Sequence, residues 1–211
     1  MYENFYKLSK EKRKQILDGA MMEFSRYGFE KTSVQQIADA AGISKSMVFH
    51  YFGNKVQLYN FLVIYTCDYS LEKIDEFIEE IKALDYLEGY YLVAKTKLRL
   101  FNEENALMRF SGSILMSKED VNLFKTAREK LDLLKEARGK YPAMMHGDKM
   151  GTKLRKDIPK EVSLKYIKWI MDGFTQELMV KIQMAGMADA NFDKDWEDFD
   201  KLLEDLKKIF Y

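Results

Sequence analysis

The sequence is poor in the residues that staple, break or catalyse: its 211 residues include one cysteine, two prolines and two histidines. A single cysteine, Cys67, leaves no internal disulfide and no multi-cysteine zinc site, which fits a reducing compartment. Two prolines and eleven glycines are too few for a turn-rich all-β chain, and the supply of Leu, Lys, Glu, Met and Ala favours helix. With only His50 and His146, and no HExxH, G-x-S-x-G, phosphate-binding glycine loop or CxxC pattern, the sequence carries no enzyme signature. No catalytic residue, metal ligand or cofactor is expected. Asp193, Asp195 and Asp198 lie close together but lack the glycine and terminal glutamate of a calcium loop, and read as a solvated helix start. The opening residues lack the apolar core of a signal peptide, and no run approaches the roughly 20 apolar residues that cross a bilayer. The expectation is a cytoplasmic protein with no membrane partner.

Net charge is also absent, with 34 basic against 34 acidic side chains, which argues against a generic polyanion binder. The distribution is uneven, however. Residues 1–56 carry nine Lys or Arg and six Asp or Glu, so an excess of three positive charges there is balanced by three negative in the remainder. Lys10, Lys12, Arg13 and Lys14 cluster ahead of the first apolar stripe, where they can meet phosphates or simply solvate a helix start.

What the sequence does contain is amphipathic helix. Ile16, Ala20 and Phe24, with Leu17 and Met21, form one stripe. Val34, Ile37, Ala38 and Ala41 share one face of a helix too short to stand alone, opened by a capping-box pattern at Thr32 and Gln35 and closed by Gly42. Ser44 can cap a second short helix in which Val48 and Phe52 face inward, while Lys45, Ser46, Met47, His50 and Tyr51 lie off that stripe. Two short helices about a glycine turn, residues 33–52, have helix-turn-helix spacing, and the outward set suits the donors, acceptors and methyl groups of a DNA major groove. Asn54-Lys-Val-Gln57 repeats the capping logic, so a third helix begins there and aims its N-terminus and Lys55 at a phosphate-sized space.

These residues carry a resemblance. Lys12–Tyr59 resembles the N-terminal DNA-binding domain of the TetR (tetracycline-repressor-like) family of bacterial transcription regulators. It does so through Phe24-Ser-Arg-Tyr-Gly28-Phe, Lys31-Thr-Ser-Val, Ile37-Ala-Asp-Ala-Ala-Gly-Ile-Ser, Phe49-His-Tyr-Phe and Asn54-Lys-Val-Gln-Leu-Tyr59, all in register. The rest of the chain matches the family in length and helical character only. Two departures stand out: Ser46 replaces the usual glycine, and Phe49 replaces a frequent tyrosine whose hydroxyl reaches a phosphate. Phe49 is therefore expected to pack against sugar or protein. The resemblance implies an all-α protein, with a three-helix helix-turn-helix domain at 1–56 and a helical bundle at 57–211 for effector binding and dimerisation. It implies contacts to an operator in double-stranded DNA from Thr32, Ser33, Lys45, Ser46, Met47, His50, Tyr51 and Lys55.

Downstream, the pattern predicts one long helix from Lys55 to about Ala83, then helices near 86–102, 106–114, 118–138, 162–185 and 194–210. Capping-box patterns at Asp85–Glu88 and Ser117–Asp120 open two of them, and the segment 139–160, which holds both prolines, reads as a loop. The last two helices are apolar on more than one side, so burial against a second copy is expected. The family's four-helix dimer interface maps onto Tyr166, Ile170, Gly173, Phe174, Phe199, Leu203 and Leu206. A dimer reads a pseudo-palindrome whose half-sites lie about a helical turn or more apart, roughly 34–36 Å per turn, and the resemblance implies an effector in the C-terminal domain that changes this distance and releases the protein. Aromatic and methionine residues, Met144 and Met145 among them, offer an adaptable apolar lining for an unidentified small-molecule effector. Tyr65, Tyr69, Arg99, Arg109, Phe110, Met116 and Trp169 are its candidate contacts, and His146 falls in the predicted loop. The same head also serves an activator or a corepressor-dependent regulator.

Overall fold

The computed structural model describes residues 2–117, 123–144, 151–185 and 192–211. Among these every regular element is an α-helix. The first five are α1 (Glu3–Tyr6), α2 (Lys10–Lys31), α3 (Val34–Ala41), α4 (Lys45–Phe52) and α5 (Lys55–Lys82). They are followed by α6 (Tyr86–Glu103), α7 (Asn105–Met116), α8 (Lys125–Met144), α9 (Lys160–Ala185) and α10 (Asp193–Phe210). No described helix is long and apolar enough to cross a membrane. The capping pattern at Ser117–Asp120 runs into residues outside the described set, as do Met145 and His146 and the side chain of Met144. The loop expected from residue 139 starts later, because α8 continues through Pro142.

The compact units do not divide at residue 56. One comprises residues 1–73 with 103–138, the other 74–102 with 139–211, and α5 contributes residues to both. In the first unit α2 is the central post, packing on α3 and α7. Ile16, Ala20, Met21 and Phe24 of α2 are buried, as are Ile37, Ala38 and Ala41 of α3, Val48 and Phe52 of α4, and Leu58 and Leu62 of α5. Rings continue this core: Phe24 and Phe29 lie 5.0 and 5.1 Å from Tyr59, which stands edge-on to Phe110 of α7 at 5.8 Å. Buried Asn60 accepts the backbone N–H of Phe124 at 2.6 Å and donates to the Val56 carbonyl at 2.8 Å, tying the start of α8 to α5. Cys67 is buried, and burial pushes its thiol up to about 12, so the reactive thiolate is suppressed.

The second unit encloses Ile81, Tyr86, Leu87, Ile167, Met171, Phe199, Leu203, Leu206 and Phe210. One buried carboxylate joins three stretches distant in sequence: Asp85, preceding α6, accepts from the Thr152 hydroxyl at 3.2 Å, the Lys153 N–H at 3.3 Å and the Tyr211 phenol. Its own N–H donates to Glu88 at 3.2 Å, one arm of the capping box expected there. Arg155 adds a second tie, its N–H reaching the Phe210 carbonyl at 2.8 Å and its guanidinium the Ile209 carbonyl at 3.1 Å.

Burial, and then the bond to Asp85, raise the Tyr211 pKa. The folded state therefore holds that proton more tightly than the unfolded chain, and this stability is complete below the unfolded phenol value of about 10 and lost as pH rises above it. Tyr211→Phe is expected to cost about 1–3 kcal/mol at pH 7 and to flatten the loss of stability above pH ~10, read from urea unfolding at several pH values.

Candidate DNA interface

Construction of the helix-turn-helix begins at a close approach. A Cβ on Gly19 of α2 would lie 2.7 Å from the Ala41 nitrogen and 2.8 Å from the Ala40 carbonyl carbon, so only glycine lets the end of α3 rest on α2 at this depth. Directly after it, Gly42 takes the left-handed conformation (φ 61°, ψ 40°) that ends α3. Lys12 closes over this turn, its ammonium 3.2 Å from the Gly42 carbonyl and 3.1 Å from Gln15 Oε1. Ser44 then caps α4 by accepting the Met47 N–H at 3.3 Å.

The cap of α3 falls one residue later than the Thr32 and Gln35 pattern suggests. Ser33 accepts the Gln36 N–H at 3.2 Å, and the Gln36 side chain accepts the Ser33 N–H at 2.8 Å. Thr32 is otherwise engaged. Gly28 leaves helical geometry inside α2 (φ 72°, ψ 176°), and the buried Thr32 hydroxyl closes that end through the Gly28 carbonyl at 2.6 Å and the Glu23 carbonyl at 3.2 Å. Thr32 thus has no free hydroxyl for DNA, whereas Ser33 remains exposed beside it.

On α4 the outward face consists of Lys45, Ser46, Phe49 and His50, all exposed, with Met47 half-buried. Tyr51 is only 8% exposed, and its ring lies 6.3 Å from Phe5 of α1. The spacing that put Tyr51 outside is corrected, because α1 covers the Tyr51 side of the helix, while Phe49, expected to pack against sugar or protein, is 41% exposed. The Ser46 hydroxyl shares a hydrogen bond of 2.8 Å with Ser44, and His50 Nε2 lies 3.2 Å from Asn4 Nδ2. Asn4 and Phe5 therefore belong to the support of this face and were missed in the sequence, where a four-residue helix leaves no periodicity to detect. Their only signal was Tyr2, Phe5 and Tyr6 at helical spacing.

Lys55 is the larger correction. Asn54 caps α5 as expected, accepting the Gln57 N–H at 2.9 Å. The Lys55 ammonium spends its three donors on carbonyls at the end of α2: Phe29 at 2.9 Å, Thr32 at 3.1 Å and Glu30 at 3.4 Å. It also stands 4.4 Å from the centre of the Phe29 ring. Those carbonyls lack intrahelical partners because α2 ends at Lys31, and a cation at a helix C-terminus is favoured by the peptide dipoles.

Of the proposed effector contacts, Tyr65 and Tyr69 border one cleft of the first unit. Phe110 is buried between α2 and α5 and Met116 is half-buried, while Arg109 Nε donates to Asn105 at 2.8 Å. In the second unit, Arg99 is exposed on α6 and Trp169 is exposed on α9 with the Lys165 ammonium 4.7 Å over its ring.

Lys55→Met keeps the aliphatic stem and removes three charge-assisted bonds. It is expected to lower stability by about 1.5–3 kcal/mol in urea unfolding, while leaving the salt dependence of DNA binding unchanged, contrary to a phosphate contact.

Residues 16–61 match the model of the tetR family of bacterial regulatory proteins. The HTH-type transcriptional repressor AcnR of Corynebacterium efficiens is 26% identical over 186 residues, covering 84% of this chain and 87% of that protein. The HTH-type transcriptional regulator RutR of Escherichia coli is 35% identical over 79 residues, 37% of each chain. Two solved structures share the fold. A TetR family regulator from Chloroflexus aurantiacus aligns with TM-score 0.52 and 15% identity over 99% of this chain and 97% of its own. NalD of Pseudomonas aeruginosa, the secondary repressor of the MexAB-OprM multidrug efflux pump, aligns with TM-score 0.51 and 20% identity over 95% and 96%. Residues 16–61 thus form a tetR-type DNA-binding domain, and the likeness to a curated repressor along most of both chains makes the protein a DNA-binding transcriptional regulator.

Proposed function

We propose that this regulator is a homodimeric repressor that leaves a pseudo-palindromic operator when a small molecule binds. The observation that carries the dimer is on α9. Tyr166, Trp169, Ile170, Val180 and Met184 are exposed apolar residues at helical spacing, and a Cβ at Gly173, midway along the stripe, would meet open space. Although Gly173 and Glu177 separate its two halves, this much apolar surface on one solvent face is unusual unless another surface covers it. The partner helix is drawn from a narrower set than the seven residues named above: Phe199, Leu203 and Leu206 are consumed by the core of their own unit, and Phe174 is half-buried beside Phe199 at 5.2 Å. Repression is supported by the description of AcnR as a repressor along most of both chains.

In this reading the exposed face of α4 enters the major groove, with Lys45, Ser46 and His50 reaching bases or phosphates and Phe49 lying against sugar or a thymine methyl. Ser33 and Met47 flank it. The discriminating measurement is fluorescence anisotropy with DNA from upstream of the protein's own gene, against scrambled competitor. Lys45→Ala and His50→Ala are each expected to weaken specific binding by about 1–3 kcal/mol; unchanged affinity in both overturns this docking.

Trp169→Glu with Ile170→Glu is expected to convert a dimer to monomers in light scattering at micromolar protein and to lower operator affinity at least tenfold, because each half-site is then read alone. A monomeric parent protein overturns the dimer. Deleting the gene is expected to raise expression of its target, and a fall would make the protein an activator.

A further inference from the structure

Along α5, Phe61, Ile64, Tyr65, Asp68, Tyr69 and Glu72 recur at spacings of three and four and therefore share one face. In the first unit this face borders a cleft of about 460 Å³ whose opposite wall is Tyr2 and Tyr6 of α1. That volume lies within the range of small-molecule sites, roughly 300–1,000 Å³.

The chemistry of the cleft is one-sided. Tyr2 meets Phe61 edge-on at 4.6 Å, Tyr6 does so at 6.3 Å, and Tyr65 stacks on Phe61 at 6.3 Å, so rings form most of the lining. Aromatic faces attract cations, and the chain's own cations already approach from outside: Arg13 lies 5.9 Å from the centre of the Tyr6 ring and Lys73 lies 5.7 Å from that of Tyr69. The two charged groups that line the cleft are both carboxylates, Asp68 and Glu72. Asp68 pairs with Lys130 at 2.6 Å in a half-exposed geometry, where water weakens the pair. Burial raises the pKa of both Tyr65 and Tyr69; the field of Glu104 adds to it, opposed by Lys14 at Tyr65 and by Lys73 at Tyr69. A bare metal ion is a poor fit: among the described residues no group of three His, Cys, Asp or Glu side chains is placed to hold one.

We propose that this cleft binds a monovalent organic cation with an aromatic or aliphatic body, its charge towards Asp68 and Glu72 and its body among the rings of α1 and α5. An anion of the same shape meets two carboxylates and is rejected. The wall contributed by α1 also supports α4: Phe5 packs 5.0 Å from Phe52, and Asn4 contacts His50. A ligand that displaces Tyr2 and Tyr6 therefore moves the support of His50. This second step rests on the ligand-released repressor reading above; binding itself does not.

The test uses the full chain and two dyes of similar size, cationic rhodamine 6G and anionic fluorescein, with binding read by anisotropy. Saturable binding of one rhodamine per chain is expected, with fluorescein at least about tenfold weaker. D68N/E72Q and, separately, Y6A should each weaken rhodamine about tenfold while the thermal midpoint stays close to that of the parent. Equal binding of both dyes, absence of rhodamine binding, or binding indifferent to all three substitutions overturns the site. Rhodamine that lowers operator affinity in the parent but not in D68N/E72Q supports the coupling as well. Rhodamine bound at this site with operator affinity unchanged supports the site and overturns the coupling through α1.

Discussion

The missing side chain at Gly19 is the constraint on which the DNA-binding head depends. A helix as short as α3 does not persist alone, so its position is set by what it leans on. The Ala40–Ala41 backbone lies where a Cβ at position 19 would be, and this contact fixes the end of α3, the left-handed turn at Gly42 and hence the start of α4. Any larger residue at 19 would displace backbone rather than a flexible side chain, and the displacement would be passed through the Gly42 turn to α4.

Around that contact, polar groups that look available for DNA are used to hold the head together. Lys12 closes the Gly42 turn, Thr32 closes the break at Gly28, and Lys55 gathers three carbonyls that the end of α2 leaves open. A buried or half-buried polar group without a partner costs more than a satisfied one gains, so these roles take precedence over phosphate contacts. The exposed face of α4 that remains is consequently small and centres on Lys45, Ser46, Phe49 and His50, the residues of the proposed docking. The second unit follows the same rule, with buried Asp85 satisfied by Thr152, Lys153 and Tyr211 together.

Much of the fold was legible because periodicity and capping are local. The long α5, the positions of α6, α7, α9 and α10, the glycine turn at 42 and the caps at Ser44 and Asn54 all follow from spacing within a few residues. Errors arose where one element answers to another distant in sequence. Tyr51 is outside the Val48 and Phe52 stripe, yet α1 covers it; the cap moved to Ser33 because Thr32 serves α2; Phe199, Leu203 and Leu206 looked surplus until their own unit enclosed them.

The sequence by itself determined the all-helical class, the helix-turn-helix and the likeness of residues 16–61 to the tetR family's DNA-binding domain, since each rests on residue types at short fixed separations. The tertiary structure alone decided which polar side chains are spent internally, which aromatic faces remain open on α5 and α9, and how α1 supports α4. Those outcomes depend on contacts spanning tens of residues, as between Lys55 and Phe29 or Asn4 and His50, and no local pattern encodes which of several suitable partners a side chain will meet.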